Sequence, residues 1–232
     1  MQEEKLKQKD FIEIEFTGKI KDGGVFDSNI EEELKKLNPN YTKEQIKPFV
    51  FSLGQGMFLK GVEDFLIGKD IGEYEIELSS DKAFGKRDLK LIQKMPSKVF
   101  QDQKINPIPG VTFNFDGKIG KVLASSGGRV IVDFNNPLAG KDVIYNIKVL
   151  RKVDNLNDKI KSLNQFLFQR DLKFLVEEKK LILELDKQML QFAILFKEKY
   201  KEMLNLDLEV KEIEEKKEKE VEEEAEKKLA KK

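Results

Sequence analysis

Neither cysteine nor histidine occurs among the 232 residues of this chain. The first absence excludes disulfides and thiol nucleophiles, and the second removes every catalytic triad built on imidazole; together they leave no zinc site of the usual ligand type. Long apolar runs are missing as well, since no window approaches the roughly 18 uninterrupted apolar residues of a membrane-spanning helix. The opening MQEEKLKQKDF is charged where a signal peptide would be apolar, so a cytoplasmic protein with no membrane partner is expected. An excess of one charge is also absent: Lys plus Arg and Asp plus Glu both total 43. That balance gives no electrostatic footprint for a nucleic-acid partner. Without GxGxxG or Walker patterns a phosphate site is not expected, and neither a metal nor a cofactor is expected in any catalysis. A length of 232 residues exceeds one small domain and leaves room for two or three compact units.

What is present is organised by alternation and by glycine. FIEIEF at 11 to 16 alternates as a strand, and the turn KDGG leads into a second strand at Val25 and Phe26. A polar, partly helical stretch from Glu31 to Lys47 ends at Pro48, after which Phe49, Phe51 and Leu53 repeat with period two up to Gly54. Phe58, Leu59, Val62, Phe65 and Leu66 fall at helical spacing before Gly68, which predicts a short helix. Tyr74, Ile76 and Leu78 alternate again, and VIYNIKV at 143 to 149 supplies a late strand that closes the first sheet. Between them, VTFNFDGKIGKVLASSGGRVIVDF holds three strands separated by Asp-Gly and Gly-Gly turns, a small inserted all-β unit. After Arg151 a polar helical segment precedes a hairpin over 172–185. One broad apolar helix over DKQMLQFAILFKEKYKEML and a last strand in LDLEVKEI follow. From Glu214 onward nearly every residue is charged, which predicts a solvated helix or a disordered tail.

Four fragments in this order, DGGVFDS at 22 to 28, PFVFSLGQGMFLKGVEDFLIGKDIGE at 48 to 73, DKAFGKRD at 81 to 88 and NNPLAGKDVIYNIKV at 135 to 149, resemble the FKBP-type peptidyl-prolyl isomerases. The insert makes the chain similar to their SlyD-like and long archaeal branch. The likeness implies an α+β protein in which an antiparallel FKBP-like sheet wraps on a short helix. It carries an inserted small all-β domain and a C-terminal α/β domain of hairpin, helix and strand. The expected division is residues 1–87 with 139–153 as the isomerase domain, 88–138 as an inserted chaperone domain, 154–214 as the C-terminal domain and 215–232 as a charged tail.

The same resemblance implies a substrate pocket lined by Phe16, Phe26, Phe49, Phe58, Leu59, Val62, Phe84 and Tyr145, with Asp27 at its polar edge. Of these, Phe26, Asp27, Leu59 (through its backbone N–H), Phe84 and Tyr145 are expected to take part in catalysis, the others in binding. Val62 stands where many members have Trp and Phe84 where many have Tyr, departures that alter the floor and remove a hydroxyl. From pattern alone the phenylalanines serve equally as core, and Asp27 as a turn carboxylate. In the insert, Leu91, Ile92, Met95, Val99 and Phe100, with Ile105, Ile108 and Val111, are more apolar than a connection needs. They either fill a small core or bind unfolded chain, as the insert of SlyD-like members implies. The function expected is isomerisation of X-Pro bonds in unfolded proteins, aided by that insert. Two readings remain beside it: a non-catalytic holdase whose pocket only binds proline, and a homodimer or scaffold formed through the C-terminal domain.

Overall fold

The computed structural model describes residues 5–43 and 46–212; the expected tail at 215–232 lies outside them. β1 (Phe11–Ile20) is the spine of the first sheet and buries Ile12, Ile14 and Phe16, every second residue, as its alternation predicts. It pairs antiparallel with β2 (Val25–Ser28) through its second half and with β3 (Phe49–Ser52) through its first, so the two share one edge. α1 (Glu31–Leu37) lies in the polar stretch between β2 and β3. α2 (Lys60–Leu66) starts later than its apolar pattern, because Gly54 and Gly56 hold positive φ and form a bend up to Leu59. β4 (Glu73–Leu78) then runs to the sheet's far edge.

The inserted unit comprises β5 (Ile92–Pro96), α3 (Ser97–Asp102), β6 (Thr112–Phe115), β7 (Lys118–Ser126) and β8 (Arg129–Asp133), with strand order β5-β8-β7-β6. The Asp116-Gly117 and Gly127-Gly128 turns fall between the strands as expected. The insert is not all-β: Pro96 ends β5, and the turn of helix that follows drives Phe100 into the insert's core. β9 (Val143–Lys152) returns between β1 and β4, giving the order β2-β1-β9-β4.

α4 (Leu156–Phe168) is capped by Asn155, whose side chain accepts from the N–H groups of Asn157 and Asp158. It is amphipathic rather than polar and buries Ile160, Leu163, Asn164 and Phe168. β10 (Phe174–Glu177) and β11 (Lys180–Leu185) form the expected hairpin. The single apolar helix expected next is two, α5 (Lys187–Ile194) and α6 (Lys197–Leu204). A tight turn at Leu195 and Phe196 separates them and brings Phe196 against Phe168 and Phe192, with ring centroids 5.6 and 4.9 Å away. β12 (Asp207–Glu212) then pairs parallel with β11. Two hydrophobic clusters result. The larger runs without interruption from the first sheet into the C-terminal unit; the smaller is the insert's own, around Phe100.

Candidate active site

Strand alternation places a set of rings on one face of the first sheet. Phe16 comes from β1, Phe26 from β2, Phe49 and Phe51 from β3, Tyr145 from β9, and Phe58 from the bend before α2. Phe58 is their hub, with centroids 5.1 Å from Phe16, 5.3 Å from Phe51, 5.6 Å from Tyr145 and 5.7 Å from Phe49. From Tyr145 the chain of rings continues to Phe26 at 5.8 Å, edge to face, and on to Phe84 at 5.7 Å. Each such pair adds about 0.5–1.5 kcal/mol to the area it buries. The rings on this face therefore form a preorganised wall rather than independent side chains.

Gly18 makes the approach of two of these rings possible. A Cβ at this position would lie 2.8 Å from the Phe26 ring and 3.0 Å from Tyr145. Phe84 reaches the group from a loop in which the Ala83 N–H bonds to the Ser79 carbonyl and the Gly85 N–H to that of Ser80. Gly61 lets α2 sit against this loop, since a Cβ there would meet the Lys82 carbonyl at 2.6 Å.

Leu59 is the residue before α2, extended at φ −65°, and its carbonyl receives the N–H groups of Val62 and Glu63. Among the described residues its own N–H has no hydrogen-bond partner, as the open amides of a helix start lead one to expect. The bend that carries it is fastened from inside by Glu63, a buried carboxylate that accepts from the Gly56 N–H at 3.1 Å and the Phe58 N–H at 2.6 Å. Such bonds to a charged acceptor are among the stronger ones in a protein.

Asp27 sits beside the rings and is still open to solvent. The protein packed around its carboxylate disfavours the charged form and raises its pKa, and the Ser28 backbone N–H opposes that shift. Tyr145 is pushed well above the ordinary phenol range, first by burial and then by the nearby Asp27 charge, so its hydroxyl stays protonated.

The expected lining residues Phe16, Phe26, Phe49, Phe58, Leu59, Phe84 and Tyr145 are thus brought together, with Asp27 beside them. Val62 needs correction as a floor that substrate touches: it is 0% exposed and packs as core, so a prolyl ring reaches it only if other side chains move. Phe51 and Glu63 were not anticipated. Phe51 shares the β3 alternation with Phe49, while Glu63 carried one usable signal, an acid in the first turn of a helix that follows a glycine-rich bend.

The insert divides differently from its sequence. Phe100 is 1% exposed at the centre of the insert's core, so it is not a client contact, and Met95 and Ile105 pack against that core. Ile92 is half-buried on β5. Leu91, Val99, Ile108 and Val111 are exposed. Three further exposed residues were missed, Leu89 at 80%, Ile119 at 63% and Leu123. The insert's two connections are laced together: Arg87 pairs with Asp133, the Asp88 N–H donates to Asn135 Oδ1 at 2.8 Å, and Asn135 Nδ2 donates to the Asp88 carbonyl at 3.0 Å. The Gly140 N–H to Gly85 carbonyl bond, at 2.8 Å, joins the same two segments just behind Phe84.

An antiparallel sheet around a short helix, a ring-lined face at one end and a β-rich insert after the Phe84 loop define an FKBP-like class of α+β protein. Comparison with known proteins agrees. A family model described as the FKBP26 IF domain matches residues 93–138, the insert. The chain is 32% identical over 145 residues to a short-type peptidyl-prolyl cis-trans isomerase of Methanocaldococcus jannaschii, a match covering 62% of this chain and 92% of that protein. It is 29% identical over 153 residues to the FKBP-type 16 kDa peptidyl-prolyl cis-trans isomerase of Escherichia coli, covering 63% and 93%. It is also 30% identical over 118 residues to the isomerase SlyD of Helicobacter pylori, covering 49% and 62%. The chain belongs to the FKBP-type peptidyl-prolyl cis-trans isomerase family. Among the described residues no helix is long and apolar enough to cross a membrane.

Proposed function

We propose that this protein accelerates cis-trans isomerisation of X-Pro bonds in unfolded and partly folded polypeptides. In this reading the ring-lined face turns the bond and the insert holds the chain that contains it. The observation that carries the reading is the joining of Phe16, Phe26, Phe49, Phe58, Phe84 and Tyr145 into one group beside Asp27 and the unbonded Leu59 N–H. An X-Pro bond has a barrier of about 18–20 kcal/mol and turns over tens to hundreds of seconds unaided. No nucleophile is needed to lower it. In the twisted state the amide loses resonance and its carbonyl becomes less dipolar, so an apolar surface that excludes water favours that state over the planar ones. The Leu59 N–H orients a substrate carbonyl, and Asp27 holds the polar edge. Exposed Leu89, Leu91, Val99, Ile108, Val111, Ile119 and Leu123 give the insert a surface suited to unfolded chain, which supports the chaperone half of the reading.

A protease-coupled assay on a short X-Pro peptide tests the catalytic half. Wild type should exceed the uncatalysed rate, and Phe26→Ala should lose most of that gain; a wild-type rate equal to the uncatalysed one removes the enzyme and leaves only a holdase. Pairing of two copies through the C-terminal unit is a second reading. It is favoured by exposed Phe192, Ile194 and Leu195 and by the outer strand β10 with exposed Leu175. Sedimentation across a concentration series decides it, and a monomer throughout disposes of it.

A further inference from the structure

The C-terminal unit is fastened to the part of the molecule that builds the ring-lined face. β3 carries Phe49 and Phe51 on only four residues and pairs with β1 along one edge. A strand so placed leaves its other row of peptide groups open. α4 meets that row: the Ser162 hydroxyl donates to the Val50 carbonyl at 2.6 Å, and Val50 is the residue between the two rings. The bend after β3 is met through a side chain, because Lys199 of α6 donates to Gln55 Oε1 at 2.9 Å. Gln55 lies between Gly54 and Gly56, both at positive φ. The next amides belong to Gly56 and Phe58, which Glu63 holds from inside, and then comes the Leu59 N–H. Behind these contacts Ile160 and Leu163 of α4 share one hydrophobic cluster with Phe51, Leu53 and Met57. At the margin, Lys9 pairs with Glu202 at 3.1 Å and the Lys159 ammonium sits over the Phe11 ring at 5.6 Å.

We propose that the C-terminal unit is a buttress of the prolyl site, and that Ser162 and Lys199 are positioning residues that set the Phe49 wall and the Leu59 N–H. The proposal rests on the isomerase reading of that site. A donor placed for the twisted state acts mainly on turnover, so loosening its support should lower kcat more than it raises KM.

The test uses full-length chains carrying Ser162→Ala, Ser162→Thr and Lys199→Met, with two readouts: kcat and KM on a short X-Pro peptide, and backbone amide shifts. Ser162→Ala should lower kcat about fivefold, the scale of one lost hydrogen bond, with KM nearly constant. Its shifts should spread to Phe49, Phe51 and Leu59 while leaving Asp27 and Phe84 in place, and Ser162→Thr should restore both readouts. Lys199→Met should lower kcat in the same sense and shift Gln55 to Leu59; it carries the test if Ser162→Ala loses its cooperative thermal transition. Unchanged kcat with shifts confined to α4 or α6 overturns the buttress. A wild type with no activity refutes the isomerase reading instead, and the amide shifts still decide whether the C-terminal unit positions the site.

Discussion

Gly18 lets Phe26 and Tyr145 lie close over β1, since any side chain there meets both rings. Gly18→Ala should push the Phe26 ring aside at a cost of about 1–3 kcal/mol of packing strain. Activity on a short X-Pro peptide should fall by about tenfold or more in a chain that remains folded; circular dichroism together with the peptide assay checks this. Asp27 gives a pH prediction. Its carboxyl binds a proton more tightly in the fold than in the unfolded chain, whose value is near 3.8. Between that value and the raised one the native state holds more protons, so stability falls as pH rises through the window. Asp27→Asn removes the effect. The variant should be more stable than wild type at pH 7, and the difference should shrink to nothing as the pH falls below about 3.8, read by denaturant melts at several pH values. At this scale the sequence was informative where a motif carried the residue, as with Phe26 and Asp27. For Glu63 it offered only an acid in the first turn of a helix, because its importance depends on which amides the bend turns inward.

Among elements, the connection between the insert and the first sheet is the most constrained. Asn135 bonds to both the N–H and the carbonyl of Asp88 and lies beside the Arg87–Asp133 pair, so it ties the outgoing segment to the returning one. Asn135→Ala removes the partner of the Asp88 N–H and one of two bonds to the Asp88 carbonyl, which keeps the Leu91 N–H, a loss on the scale of about 1 kcal/mol. The expected outcome is a short-peptide rate within about twofold of wild type, together with a slower rate on a proline-limited refolding protein, because the insert no longer holds a fixed place beside the rings. Equal losses on both substrates would show that the network serves the ring face itself. Elements were legible where alternation or turn chemistry was strong: β1, β3, the Asp-Gly and Gly-Gly turns and the 172–185 hairpin all fall where the residues put them. The break between α5 and α6 was not, because the sequence there is apolar on every turn. At the break Phe196 packs against Phe168 and Phe192, a contact that local sequence does not reveal.

On the scale of the whole molecule, the chain divides into a ring-bearing sheet, an insert with a core of its own and a C-terminal unit whose core is continuous with the sheet. The insert was legible as a unit because it leaves and re-enters the first sheet between two recognisable fragments. Which of its apolar residues are exposed was not: apolar content predicted binding at Phe100, but a six-residue helix turns that ring inward, while Leu89 before β5 and Ile119 and Leu123 on β7 are exposed. Burial depends on which face a short element presents, and six residues give too little periodicity to say.

The division of labour between ring face and insert is tested most directly by comparing two substrates with one pair of variants. Isomerisation rates should be measured on a short X-Pro peptide and on a refolding protein limited by one X-Pro bond, using wild type, Ile119→Ser with Leu123→Ser, and Phe26→Ala. The double variant should keep the peptide rate and lose much of the refolding rate, while Phe26→Ala should lose both. A double variant that refolds the protein as fast as wild type would contradict the role given to the insert, and a Phe26→Ala chain with the full peptide rate would contradict the role given to the rings.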